Sequence, residues 1–434
     1  MLNFIKKHLT GVIAVILTAT IVVLAFFAFS DEGPVTDAVD TSLNTPTTPD
    51  ERQEPTNETP VYSGTIPKSS SPSEKYLFEQ VICGNGNITL CSVHQTAFST
   101  YVIAETNCKT GDVYAEKPTV GLIKLDSLGN IEKTYSVTNS CEYEYVASCL
   151  TNLGIAVVTT DSKNNYLYVT VTDFDLQKTD TKIMPYADSV SLFPTEDSFL
   201  LFADNGKENF IVKYSSEELS FSTVNSGKIV DIFEFGDFYR LTYNNATGYG
   251  ITDLNKKDFS VIRELFVASA TLKCIIPIVE NGKQIYIAIE NEGSLYARKY
   301  FSDMTVANSE RKKIATADLL GQGTDGNNVY LCLSGGLNGV VTLKTDLSFS
   351  YSANRTDSVI SDIADFAYGD CFYLLVHDAN KNIALIKTSA SSSEVTYYPV
   401  GDKALLITYP NKTIGIIYQS SFYEYSAIKL IGVR

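Results

Sequence analysis

A repeated unit constrains this chain more than any other feature. Strand, polar turn and strand recur as VVTTDSKNNYLYV from Val157, LLFADNGKENFIV from Leu200, RLTYNNATGYGI from Arg240 and YIAIENEGSLYA from Tyr286. The series continues as YLCLSGGLNGVV from Tyr330, LLVHDANKNIALI from Leu374 and IIYQSSFYEYSAI from Ile416. An eighth copy runs from Tyr101 to Leu125, with a longer turn that holds Cys108 and Pro118. Short runs of β-branched and aromatic residues broken by Gly, Asn, Asp or Ser read as strands and hairpins. No long segment follows a 3.6-residue period, so helices are expected to be scarce beyond residue 75.

Each unit follows another apolar run and a tighter turn. Those turns centre on Gln95, Asn152, Asp197, Asp237, Asn281, Gly326, Asp370 and Asn411, and after each unit come a second turn and a further run. From Asn152 to Asn411 the mean spacing is about 43 residues, the length of a four-stranded propeller blade. The last unit shows three strands before Arg434, while the run Tyr76–Ile82 precedes the first complete unit and lacks a partner. A ring answers both, because the N-terminal strand completes the final blade and leaves no open edge. The expectation is an all-β, eight-bladed β-propeller over residues 75–434, closed by its N- and C-terminal strands. Seven blades is the rival, if one unit is miscounted, and a pair of β-sandwiches comes third.

The preceding residues read differently. Lys6, Lys7 and His8 stand before an uncharged apolar run from Leu9 to Phe29, long enough to span a bilayer as a helix. Positive residues ahead of the run place 1–8 in the cytoplasm and the rest of the chain outside. The rival is a cleaved signal peptide, with Ala28 and Ser30 giving a small-x-small pattern before Asp31. Residues 30–74 are rich in Thr, Pro, Ser and acids, with Tyr62 the only aromatic, and such a segment buries too little apolar surface to offset its ordering entropy. It is expected to be a disordered tether between a single-pass anchor and an extracytoplasmic domain.

The charge balance narrows the partners. Lys and Arg number 34 against 50 Asp and Glu, so nucleic acid is repelled. There is no Trp and there are three His, which leaves little material for sugar stacking platforms, histidine metal sites or triads. Gly321, Gly323 and Gly326 match a dinucleotide fingerprint, but a strand, NVYLCLS, follows where a helix is required. Asp378, Asn380 and Asn382 begin like a calcium loop, yet Ile383 replaces the glycine at the sixth position and no carboxylate stands at the twelfth. Calcium is therefore the one metal to consider, with an ordinary hairpin turn the better reading, and no cofactor is expected. His94 and His377 have no nucleophile elbow nearby and read as ordinary hydrogen-bonded histidines.

Eight cysteines stand at 83, 91, 108, 141, 149, 274, 332 and 371. Cys274, Cys332 and Cys371 sit in apolar runs and read as buried hydrophobes. Cys108 lies in a second-to-third strand turn and Cys141 in a blade-to-blade connection, which share one face of a propeller. That pair is the disulfide candidate, with Cys83–Cys91 and Cys91–Cys149 as alternatives.

The candidate binding site is positional. Inner strands line the central funnel, and several carry a carboxylate toward their N-terminal end: Glu144, Asp231, Asp318, Asp362 and Asp365. The first four lie about six to eight residues ahead of their tight turns, so they are expected to gather at one mouth, where like charges raise one another's pKa. Such a mouth would bind a cation, an amine or a basic peptide; a solvated funnel entrance with no ligand is the plainer reading.

The stretch GLIKLDSLGNIEKTYSV resembles the blade repeat of certain bacterial extracytoplasmic propeller proteins, in which a strand ends in K-L-D-x-x-G-N. The resemblance covers one blade and implies architecture only. The expected role is a membrane-anchored binding or scaffold protein rather than an enzyme, with no catalytic residue assigned. The alternative is an extracellular hydrolase or lyase that uses funnel-mouth carboxylates as acid and base.

Overall fold

A computed structural model describes residues 76–433 apart from short connecting segments. The anchor (9–29), the linker (30–74), Cys141 and Cys371 lie outside the described residues, as do the side chains of Cys83, Cys108 and Asp362. Among the described residues all regular structure is β, and no helix is long and apolar enough to cross a membrane.

The strands form eight antiparallel sheets. Their inner strands, one per blade in chain order, are Gly86–Gln95, Tyr143–Thr151, Ser189–Pro194, Lys228–Glu234, Thr271–Glu280, Asp318–Thr324, Ile360–Tyr368 and Lys403–Thr408. Each leads through a tight turn to a second strand, then a third and a fourth on the outside. The eighth blade takes its outer strand from the other end of the chain: Tyr76–Cys83 pairs antiparallel with Tyr425–Val433, with Tyr76 opposite Val433 and Cys83 opposite Ala427. Eight blades closed by their two ends is the expected architecture, and it excludes seven.

The blades hold together by burying the two faces of each sheet against its neighbours. Eight apolar clusters fill the eight seams, from Tyr101, Leu122 and Ile155 between blades 1 and 2 round to Ile88, Ile407 and Leu430 between blades 8 and 1. In the seam between blades 5 and 6, Ile287, Leu331 and Val341 are fully buried, and each such side chain contributes roughly 1.5–3 kcal/mol. Period-2 alternation is lost in second and third strands, because a middle strand between two neighbouring blades has no solvent face. Gly154–Asp161 accordingly reads GIAVVTTD and is buried almost throughout.

The seam between blades 4 and 5 also holds charge. Arg240 is 1% exposed and donates from Nε and Nη2 to both oxygens of Asp253 at 2.7 and 2.9 Å. Its third contact, from Nη1, is to the Ser302 carbonyl of the next blade at 2.9 Å. The rings of Phe235, Phe238 and Tyr286 surround the guanidinium. Nearby, fully buried Glu290 accepts from Arg298 Nε and from the Tyr249 hydroxyl, each at 2.6 Å.

One expectation is corrected. Cys108 is not in a turn: the second strand of blade 1 runs from Thr100 to Thr110 and places Cys108 opposite Gly86. The strand continues outward because Val113–Tyr114 folds back on it and supplies further pairing. Cys91 and Cys149 are free thiols and pack into different seams, blades 1–2 and blades 2–3, so neither alternative pairing forms. Cys274 and Cys332 are buried at 3% and 1% exposure, as apolar strand positions.

Candidate functional site: the channel wall

The wall of the channel is built by a local irregularity that repeats. Six of the eight inner strands carry a bulge, with Cys91, Val146, Val230, Lys273, Leu320 and Ala364 as extra residues opposite their second strands. A bulge takes backbone groups out of the ladder and lets them point elsewhere. They point at the neighbouring blade. Leu90 N–H, just before one bulge, donates to Gln419 Oε1 of blade 8 at 2.9 Å. Tyr145 N–H, before the next, donates to Glu105 of blade 1. Leu272 is held twice by Asn244 of blade 4, its N–H and its carbonyl each at 2.7 Å. Glu105, Asn244 and Gln419 occupy the same place in their blades, on the second strand opposite Thr89, Lys228 and Lys403. The remaining blades put Thr160, Asp204, Asn291, Ser334 and His377 there, every one polar.

Register fixes the height of the five predicted carboxylates. Glu144, Asp318 and Asp362 lie opposite Thr160, Ser334 and His377, and so share one level. Glu144 and Asp318 are exposed there. The same level carries Lys228 and Lys403, so the ring at that height is mixed in charge. Glu144 on blade 2 and Asp318 on blade 6 stand across the channel, while Asp318 and Asp362 are on adjacent blades. Asp231 and Asp365 sit deeper, each directly after a bulge. Asp365 is occupied in the wall: its carboxylate accepts from Phe366 N–H at 2.8 Å and from Leu406 N–H of blade 8 at 2.9 Å. Burial raises its pKa, and those two donors pull it back. Asp231 accepts only its neighbour Ile232 N–H among the described bonds, at 2.8 Å, and burial pushes its carboxyl up to about 6.

Asp231 carries a pH signature. Its folded pKa is above the ordinary 3.8, so its contribution to stability is present below about pH 4 and is lost as pH rises through about 6. The difference amounts to roughly 3 kcal/mol. Asp231→Asn is therefore expected to stabilise the chain at pH 7 and to flatten its denaturation midpoint between pH 4 and 6. An unchanged midpoint would mean the carboxylate is solvated after all.

A second polar group spans blades 1 and 2. His94 Nε2 lies 2.8 Å from Ser148 Oγ and 3.4 Å from Ser92 Oγ, and the Tyr145 hydroxyl lies 2.9 Å from the same Ser148 oxygen. No carboxylate orients the imidazole among the described bonds. Burial pulls its pKa down to about 4 and holds it neutral, which suits a seam and not a general base at pH 7. Its contribution is present above pH 6.5 and is lost as pH falls through about 4, the reverse of Asp231, again worth roughly 3 kcal/mol. Replacement by Gln should remove that acid sensitivity from a melting curve taken against pH. Burial also pushes the neighbouring Cys91 and Cys149 thiols up to about 12, so both are poor nucleophiles.

The other motifs fall where the sequence places them. Gly321 and Gly323 are on the inner strand of blade 6, Gly326 turns with φ +88°, and the strand Val329–Ser334 follows. Asp378 ends one strand and Asn382 begins the next, with the turn between them outside the described residues.

No known protein family's sequence profile matches this chain, and no curated protein matches it. Solved structures do share its fold. The Dos1 propeller aligns with TM-score 0.50 and 12% identity over 80% of this chain and 93% of that one. Dihydro-heme d1 dehydrogenase NirN in complex with DHE aligns with TM-score 0.51 and 10% identity over 82% of each chain. A prolyl endopeptidase aligns with TM-score 0.51 and 10% identity over 77% of this chain, but this chain spans only 54% of that one. At such identities the likeness is one of fold.

Proposed function

We propose that the protein is a membrane-anchored binding or scaffold protein that presents a rigid propeller outside the cytoplasm. The propeller fold supports binding or scaffolding in general; enzymes such as NirN share it, so the fold alone does not choose between them. The observation that favours binding is the chemistry of the channel wall. Its polar groups are engaged in holding blade to blade: Gln419, Glu105, Asn244 and Asp365 take inner-strand N–H groups, and Lys403 Nζ donates to the Cys91 carbonyl at 2.6 Å. Asp231, whose carboxylate is bonded only within its own strand among the described bonds, and the exposed level with Glu144 and Asp318 remain for a ligand. The apolar run Leu9–Phe29 and the acidic tether behind it are the basis for the anchored, extracytoplasmic placement.

The hydrolase or lyase alternative needs two carboxyl groups about 5–10 Å apart in one pocket. Glu144 and Asp318, on blades across the ring, do not fit that geometry, whereas Asp318 and Asp362 are on adjacent blades and carry the alternative. Affinity capture on the full-length protein from its own envelope extract, with and without chelator, separates the readings. A partner retained by the native chain and lost from Glu144→Gln/Asp318→Asn supports mouth binding. Capture of nothing, or capture indifferent to both substitutions, overturns it.

A further inference from the structure

Every inner strand ends at its tight turn, so the tight turns share one face of the propeller with the turns between third and fourth strands. The chain enters the body at that same face, because Tyr76 pairs with Val433, the last residue of a third strand. Two neighbouring tight turns on this face tip an apolar side chain outward. Phe98 of blade 1 is 84% exposed, and Leu153 of blade 2 is exposed beside it. Their turns are held in shape. The Phe98 and Ser99 N–H groups donate to Thr96 Oγ1 at 3.3 and 3.1 Å, and Leu153 N–H donates to Thr151 Oγ1 at 3.1 Å. The corresponding turns of blades 4 and 6 present exposed Asp237 and Asn327 instead. Across the ring, blade 5 adds exposed Val279 just before its tight turn, and Phe301 and Val306 at its outer turn. Rigid exposed apolar groups on one face of a protein mark an interaction surface.

We infer that this face rests on a lipid bilayer, with Phe98 and Leu153 inserted at its interface; the inference rests on the anchored reading proposed above. Placement selects a flat surface. Blades 1 and 2 stand across the ring from blade 5, so a plane touches all the apolar groups together, whereas a peptide in one groove meets only one set. Connectivity selects the membrane. Residues 30–75 join the apolar run Leu9–Phe29 to the entry strand, a chain length that reaches roughly 35–40 Å as a coil. Its entry point, on blade 8 next to blade 1, already lies on the apolar face, so the chain need not pass round the rim. Composition selects the mode of contact. With 50 acids against 34 bases, attraction to anionic headgroups is disfavoured, and insertion of apolar side chains is left as the source of affinity. Glu144 and Asp318 stand near the start of their inner strands, at the opposite face. Docking in this sense therefore turns the carboxylate mouth away from the bilayer, open to ligands outside.

The chain has no Trp, so Phe98→Trp in the full-length protein introduces a single indole fluorophore at the tip of blade 1. The variant is reconstituted into phosphatidylcholine vesicles with and without brominated phosphatidylcholine. Tyr186→Trp is the control, since Tyr186 is exposed and follows Pro185 at the opposite face. Brominated lipid is expected to quench the Phe98→Trp emission several-fold more than the Tyr186→Trp emission. Adding Leu153→Ser to Phe98→Trp should shift the docked population several-fold toward the undocked one, because less apolar surface leaves water. Equal quenching of the two single variants, in chains that float with the vesicles and resist carbonate, overturns the docking and leaves the anchor standing. Preferential quenching of Phe98→Trp in chains that carbonate strips off supports the docking and overturns the anchor. A chain that does not float with vesicles overturns both. A Phe98→Trp emission that moves to the blue only when envelope proteins are added assigns the face to a protein partner, and that too overturns the inference.

Discussion

Asp253→Ala is expected to lower the stability of the propeller by about 3–5 kcal/mol, read from the denaturant midpoint at neutral pH. The loss is mostly the cost of the partner left behind. Arg240 stays charged, 1% exposed, and walled in by Phe235, Phe238 and Tyr286, with two of its hydrogen bonds removed. Among the described bonds its remaining hydrogen bond is to one carbonyl, Ser302. Replacing both members by apolar residues of similar size, Arg240→Met/Asp253→Leu, should cost far less than the single change. A double-mutant cycle measures the difference as a coupling energy, and additive effects would show that the pair is independently solvated.

The second large effect concerns closure. Deleting residues 76–83 removes the outer strand of blade 8 and exposes the edge of Tyr425–Val433. The truncated chain is expected to lose its single cooperative unfolding transition and to aggregate. Supplying the same eight residues after Val433 through a short turn should restore folding, because an appended strand can pair antiparallel in the native register. Normal melting of the deleted chain would show that closure is not structural.

The period was legible because turns need Gly, Asn, Asp and Ser at fixed places while strands need apolar runs, and neither depends on long-range contacts. The mouth was legible in part. Counted from their tight turns, Glu144, Asp318 and Asp362 are eight residues back and Asp231 six, and that difference is the register difference the structure shows. What hid its meaning is the bulge, which leaves no mark in a local pattern because it is defined against the partner strand. Searching for acids alone also passed over Lys228 and Lys403 at the same height. The clasp residues Glu105, Asn244 and Gln419 end apolar runs and so look like the first residues of turns. Their partners belong to the next blade, which only the closed ring brings near. Arg240 and Asp253 gave no signal either, since a charge inside a strand run looks the same whether a neighbouring sheet covers it or water does.

Because Tyr76 pairs with Val433, the ribosome makes the first strand of this body long before its mate exists. Blades 1–7 can form hairpin by hairpin as the polypeptide appears, but the ring cannot latch until Tyr425–Val433 has been made. Contacts of such sequence separation are slow to form, and a half-made barrel of blades shows sticky rims in the meantime. Maturation, and not the finished architecture, is therefore where this protein is most vulnerable, and a nascent-chain chaperone would find its longest opportunity there.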